Sequence, residues 1–181
     1  MRYVMKRASL FIAVSDYTAA AAQRLVFDRV PARTLRPALD LGAFPATTPQ
    51  DRAWARDELG IHGRLVVCVG RLVPRKGQDV LLEAVGRLAP HMPDLELALV
   101  GDGRLAYHLE RRAVALGLEG RVHRPGSLTA VDMRRWLAAA DVFASPCRVR
   151  WGGLEVEGFG IVFVEAALTG LPVLAGRSGG S

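Results

Sequence analysis

Short apolar runs alternate with helical stripes along most of this 181-residue chain, and that alternation leaves few folds open. Leu65-Val-Val-Cys-Val69 reads as a strand, and Asp79 to Ala89 as a helix with Leu82, Val85 and Leu88 on one face. Leu95 to Val100 reads as a second strand with few polar positions, as in a sheet covered on both faces. A stripe of Leu105, Leu109, Ala113 and Leu116 follows, then a short strand, Arg121 to Arg124, that ends at Pro125-Gly126. Thr129 opens a helix from Asp132 to Ala140, with Asp132 in the place of the capping-box acid. Asp141 to Ser145 (strand), Gly160 to Thr169 (helix) and Pro172 to Ala175 (strand) complete the pattern. This order implies an α/β fold with a doubly wound parallel sheet and right-handed crossovers. Ligands of such sheets sit beyond the carboxyl ends of the strands. Gly70-Arg71, Gly101-Asp-Gly103, Gly126-Ser127 and Ser145-Pro146 all fall on that edge.

Two motifs at that edge carry the chemistry. In Leu65 to Asp79 the apolar run stops at Gly70, and the cations Arg71, Arg75 and Lys76 precede the helix. Strand, basic loop and helix together are the arrangement of a phosphate site. Of the 24 basic residues only Lys6 and Lys76 are lysine, so a lysine in this loop is not compositional filler. A flexible point charge suits a diphosphate where a planar guanidinium does not fit. The loop is not a Walker A sequence, because Gly77 stands where Ser or Thr would hold magnesium. The second motif is Glu157-Gly-Phe-Gly-Ile-Val-Phe-Val-Glu165. Its carboxylates, eight positions apart, flank a turn that runs into an apolar helix. Gly158 and Gly160 let backbone amides approach a ligand, and the helix start favours an anion.

Composition narrows the function classes. The net charge is +6, but the arginines are dispersed without aromatic interleaving, which argues against nucleic-acid binding. An anionic membrane surface and an arginine-rich composition alone both account for the charge. Arg2, Lys6 and Arg7 precede a seven-residue apolar run, yet Asp16 arrives before any small-residue cleavage site, unlike a signal peptide. No stretch is long enough to span a bilayer. Cys68 and Cys147 form no metal or redox spacing and read as reduced thiols of a cytoplasmic protein. His62, His91, His108 and His123 show no ligand spacing either, so no metal is expected.

Five motifs, in order, carry a resemblance. They are Gly70-Arg71 to Lys76-Gly77, Val100-Gly-Asp-Gly103, Ser145-Pro-Cys-Arg148, Glu157 to Glu165, and Gly170 to Gly180. Together they resemble the retaining GT-B glycosyltransferases of family 4. The stretch Ser145 to Val162 is similar to the GDP-mannose-dependent phosphatidylinositol monomannoside mannosyltransferases within it. The resemblance implies a hexosyl transfer, with mannose from GDP-mannose as donor and a lipid-linked acceptor, and with retention. Arg71 and Lys76 would hold the donor diphosphate, and Gly70 would lie against it. Gly158, Phe159, Gly160, Ile161 and Val162 would offer amides to the same phosphates. Glu157 would hold hydroxyls of the transferred sugar and Glu165 those of the ribose. Arg71, Lys76 and Glu157 are the expected catalytic residues. No cofactor beyond the nucleotide-sugar is implied, since protein cations take the place of a metal. Arg148, Arg150 and the Trp151-Gly-Gly153 turn are expected beside the sugar pocket. Action on a lipid would put the protein in the cytoplasm, at the inner face of the membrane.

Matched to that pattern, residues 1–30 correspond to the end of an acceptor-binding domain. Residues 31–50, with four prolines, correspond to a linker, and residues 51–181 to a donor-binding domain that stops short of its end. Ala8 to Val14 reads as a strand and Ser15 as the N-cap of a helix from Tyr17 to Phe27. Two alternatives stay open: a family 4 transferase using a UDP-sugar, and an inactive nucleotide-binding fragment with exposed apolar patches.

Overall fold

The computed structural model describes residues 7–26 and 29–181. The basic residues Arg2 and Lys6, and the expected helix end at Phe27, lie outside the described residues. Near the amino end, β1 (Phe11–Ala13) and β2 (Ala32–Thr34) pair in parallel, joined through α1 (Asp16–Leu25). Ser15 caps α1 as expected, with Thr18 closing a full capping box. Leu10, Ile12 and Val14 are exposed, as are Val173 and Leu174 at the far edge of the main sheet.

The stretch read as a linker is more ordered than its prolines suggest. It contains β2, a tight turn at Leu41–Ala43 capped by Asp40, and Phe44, which is buried in the main core. The prolines stand far enough apart to leave room for short elements between them. It also leads into a helix that the sequence pattern had not revealed, α2 (Pro49–Leu59). The local signals for α2 are all present. Thr48 and Asp51 form a reciprocal capping box, Pro49 opens the first turn, and Gly60 ends the helix in the left-handed region. Only the apolar stripe is missing, since α2 buries little beyond Ala55. Thr48→Ala is expected to lower stability by about 1 kcal/mol. The effect should read as a lower denaturant midpoint at unchanged slope.

The main sheet is built from β3 (Arg64–Val69), β4 (Leu95–Val100), β5 (Val122–Gly126), β6 (Val142–Ser145) and β7 (Val173–Ala175). All its strands are parallel, in the order β5-β4-β3-β6-β7. The connecting helices are α3 (Gln78–Leu88), α4 (Ala106–Ala115), α5 (Ala130–Ala139) and α6 (Ile161–Leu168). The period of two in β3 sorts its side chains between two cores. Leu65, Val67 and Val69 join Trp136, Phe143, Val162 and Ala166 on one face. Cys68 joins Leu82, Val85, Leu97, Leu99 and Leu109 on the other. Burial on both faces is why these strands read as continuous apolar runs. β5 extends through Pro125 to Gly126, beyond the expected end at Arg124. It is an edge strand with a register irregularity against β4, which is where a proline is tolerated.

Strand order reverses at β3, with β4 and β5 to one side and β6 and β7 to the other. The crevice outside the carboxyl ends of β3 and β6 is therefore the topological switch point, the usual ligand position in an open α/β sheet.

Candidate active site

Two loops meet at that switch point. From β3 the chain turns at Gly70 (φ 147°), passes a single helical turn at Pro74–Lys76, and enters α3 through Gly77 (φ 75°). From β6 it continues through Ser145, Pro146 and Cys147. A small antiparallel excursion follows, bridged between Arg150 and Glu155, and then Glu157. The loops are tied by the Arg148 N–H, which donates to the Arg75 carbonyl at 2.8 Å. They also touch at Gly77, where an added Cβ would stand 2.2 Å from the Pro146 carbonyl oxygen.

Lys76 and Glu157 are each only 7% exposed, and each is buried because the other is there. Lys76 Nζ lies 2.7 Å from Glu157 Oε2, and Arg75 Nη1 donates to the same oxygen at 2.7 Å. The Cys147 thiol donates to it at 3.5 Å. Oε1 has no partner among the described residues. The backbone of Glu157 is fastened separately, its N–H donating to Ser178 Oγ at 3.1 Å and its carbonyl accepting from the Gly180 N–H at 2.9 Å. Burial pushes the Glu157 carboxyl up, but Lys76 and Arg75 outweigh it and hold the group below the usual carboxylate range. Burial keeps the Cys147 thiol protonated, so it acts as a donor. Gly70 lies alongside the lysine: a Cβ there would stand 3.4 Å from Lys76 Cε, in ordinary contact.

Two helices start beside this cluster without a side-chain cap. α3 begins at Gly77 and α6 at Gly160 (φ 73°), both in the left-handed conformation. The amides of Ile161 and Val162 have no acceptor among the described residues, so the N-terminal end of α6 offers free donors. Gly160 also packs beside Glu157, where an added Cβ would stand 3.5 Å from its Cγ. Two cations and two uncapped helix starts thus face one carboxylate, leaving a local surplus of positive potential.

The sequence-expected residues do not all gather here. Lys76, Glu157, Gly70 and Gly160 do, and Gly158 to Val162 form the turn into α6. Arg71 is exposed and borders a cavity of about 330 Å³ with Gly70, Gly101, Asp102, Ser127 and Leu128, at the carboxyl ends of β3, β4 and β5. Glu165 lies on the second turn of α6, half-buried, with no hydrogen-bond or ion-pair partner among the described residues. Burial alone pushes its carboxyl above the ordinary range. Arg148 and Arg150, expected beside a sugar pocket, form ion pairs with Asp79 and Glu155. Trp151 is exposed and stacks with Arg150.

Residues the sequence had not marked as site residues also appear. Arg75, Cys147 and Ser178 all contact Glu157, and Gln78 donates through Nε2 to the Arg71 carbonyl at 3.1 Å. Arg75 is one of the three cations of the basic loop, and Cys147 and Ser178 lie within two of the five motifs, but nothing local ties any of them to Glu157. Among the described residues no group of three or more His, Cys, Asp or Glu is placed to hold a metal ion. None of the described helices is long and apolar enough to cross a membrane.

Glu165 has a direct thermodynamic consequence. An acid whose folded pKa is raised contributes stability below its unfolded pKa and loses it as pH rises through the folded value. Glu165→Gln is therefore expected to raise the melting temperature at neutral pH. That gain should vanish in acid, where the wild-type carboxyl is itself protonated. Thermal unfolding at the two pH values checks both halves.

The family described as Glycosyl transferases group 1 matches residues 53–181. A GDP-mannose-dependent alpha-(1-6)-phosphatidylinositol monomannoside mannosyltransferase of Mycolicibacterium smegmatis is 41% identical across all of this chain and 47% of its own length. A GDP-mannose-dependent monoacylated alpha-(1-6)-phosphatidylinositol monomannoside mannosyltransferase of Corynebacterium glutamicum is 40% identical over 93% of this chain and 44% of its own. Among solved structures, Anabaena HepE in complex with UDP-glucose superposes with a TM-score of 0.79 at 30% identity, covering 98% of this chain and 48% of that one. The chain thus spans about half the length of the curated relatives it matches. With the parallel sheet, the loop pair at its switch point and a family match over most of the chain all in agreement, this chain belongs to the group 1 glycosyltransferases.

Proposed function

We propose that this chain carries the nucleotide-sugar half of a mannosyltransferase that moves mannose from GDP-mannose to a lipid acceptor of the phosphatidylinositol-mannoside type, with retention. The observation that carries the reading is the buried Lys76–Glu157–Arg75 cluster beside two uncapped helix starts. Such a place takes a dianion, and a diphosphate has the right charge. Residues 51–181 would form the donor-binding domain and residues 1–30 the end of an acceptor-binding one. The loop after β1 is consistent with an acceptor-side wall. Val14 and Ser15 lie against Gly158 and Gly180, where added Cβ atoms would come 3.5 Å from Val14 Cγ2 and 2.7 Å from Ser15 Oγ.

In this reading Lys76 and Arg75 neutralise the diphosphate as the sugar–phosphate bond breaks, in a site where charge is weakly screened. The amides at the start of α6 hold the same phosphates. Arg71 borders the cavity at the ends of β3 to β5 and closes the donor from that side. Glu165, unpaired and raised by burial, takes hydrogen bonds from the ribose hydroxyls and gains there what folding denied it. Glu157 takes hydroxyls of the sugar. The leaving diphosphate assists the acceptor hydroxyl on the same face of the ring. With protein cations in this position no divalent ion is needed. A lipid acceptor places the work at the cytoplasmic face of a membrane, and the net charge of +6 suits an anionic surface.

The likeness to a structure holding UDP-glucose supports a second reading, a UDP-hexose donor on the same loops. Calorimetric titration with GDP-mannose and UDP-glucose, without divalent ions, separates the two. Preferential GDP-mannose binding, abolished by Lys76→Ala and weakened by Glu165→Ala, is the expected result. A UDP-sugar preference would move the donor assignment, and folded protein that binds neither would overturn the proposal.

A further inference from the structure

We propose that Glu157 is a specificity-determining group that occupies the diphosphate's cations until a sugar-bearing donor arrives, and so discriminates against diphosphates that carry no sugar. The inference rests on the donor-site reading above and adds a selection step to it.

The argument begins with what the two cations hold. Lys76 Nζ and Arg75 Nη1 both stand 2.7 Å from one carboxylate oxygen, and the Lys76 and Glu157 side chains are each 9% exposed. An anion entering at the starts of α3 and α6 competes for these two cations, because both belong to the loop that leads into α3. When they re-pair with the incoming phosphates, Glu157 is left as a buried charge without its partners. Removing one side of a buried pair is among the costlier changes a folded protein undergoes. The Cys147 thiol, at 3.5 Å, is too weak a donor to replace two cations. The backbone of Glu157 cannot carry the carboxylate out to solvent, since Ser178 and Gly180 fasten both its N–H and its carbonyl.

What can restore the balance is a set of hydroxyl donors brought in beside the phosphates. A hexosyl group supplies these, and Oε1, which no described residue bonds, is free to accept the first of them. A nucleoside diphosphate or pyrophosphate supplies none and leaves the displaced charge unsatisfied. The same carboxylate therefore raises the threshold for anions in general and lowers it again for the donor. It also assists release of the nucleoside diphosphate once the sugar has gone, because Glu157 then regains Lys76 and Arg75.

The test measures affinity for GDP, inorganic pyrophosphate and GDP-mannose in the wild-type chain, Glu157→Gln and Glu157→Ala, with folding of each checked by circular dichroism. Both variants are expected to bind GDP and pyrophosphate about tenfold more tightly, a change of about 1.4 kcal/mol. Their preference for GDP-mannose over GDP should fall by at least the same factor. The alanine form leaves no amide to misplace, so agreement of the two excludes an artefact of the glutamine. Wild type that binds GDP-mannose, with variants that bind GDP and pyrophosphate no more tightly, overturns the inference and leaves the donor reading standing. No binding of any of the three ligands by any folded form overturns both.

Discussion

Lys76→Ala is expected to abolish donor binding and to destabilise the folded chain by about 3 kcal/mol. The residue is buried against Glu157, so its removal deletes an ammonium from the phosphate position and leaves the carboxylate with Arg75 as its one cation. The destabilisation depends on pH, and its sign follows from the wild-type pair. Glu157 has a depressed folded pKa, so its contribution is present above the unfolded value and lost as pH falls through the folded one. The variant lacks most of that contribution at neutral pH, and the gap between the two proteins should close in acid. Equal loss of stability at neutral and acid pH would show that Lys76 acts through packing of its stem, not through charge. Binding should stay lost at every pH, because the phosphates need the cation whatever the state of Glu157.

Gly77→Ala is expected to cost about 3–5 kcal/mol and to remove donor binding with it, the range that marks a backbone collision and not a mere loss of contact. Two penalties act together. The φ of 75° is unfavourable for any residue with a side chain, and the added Cβ would sit 2.2 Å from the Pro146 carbonyl oxygen. Neither atom can yield without parting the loop after β3 from the loop after β6, which is the contact that brings Lys76 to Glu157. Gly117→Ala and Gly120→Ala are the internal controls. Both glycines have positive φ, at 65° and 76°, but nothing stands within 4 Å of an added Cβ at either. Each should cost only the conformational penalty of about 1–2 kcal/mol and leave ligand binding untouched. Chemical denaturation and calorimetry on the three variants measure both consequences. A Gly77→Ala protein as stable as the controls would mean that the two loops are not rigidly joined.

Lys76→Ala and Gly77→Ala act on features that differ in how legible they are in the sequence. Lys76 stood out in the sequence because lysine is scarce in this chain and because a strand ends just before its loop. The close approach of Gly77 to Pro146 had no such signal: the residues belong to separate motifs, and their contact exists only once β3 and β6 are neighbours. The helices follow the same division. α3, α4 and α6 were legible within a residue or two because each buries a stripe against the sheet. α2 was not, although Thr48, Pro49, Asp51 and Gly60 spell out both its ends, because its burial is too slight to give a period. Arg71 belongs to the same legible loop, but the cavity it borders, between the ends of β3, β4 and β5, exists only once those strands are neighbours.

By itself, the sequence determined the α/β class, the edge of the sheet where a ligand would sit, and the residue types able to hold a diphosphate. Those depend on local terms: the period of apolar side chains, the conformational freedom of glycine, and the charge of single residues. Only the tertiary structure decided that Arg75 and Lys76 would share one oxygen of Glu157, while Glu165 stayed unpaired and Arg148 and Arg150 paired elsewhere. Arg75 and Glu157 are 82 positions apart, and no periodicity spans that distance. Their meeting follows from strand order, because β3 and β6 lie side by side at the point where the sheet reverses direction.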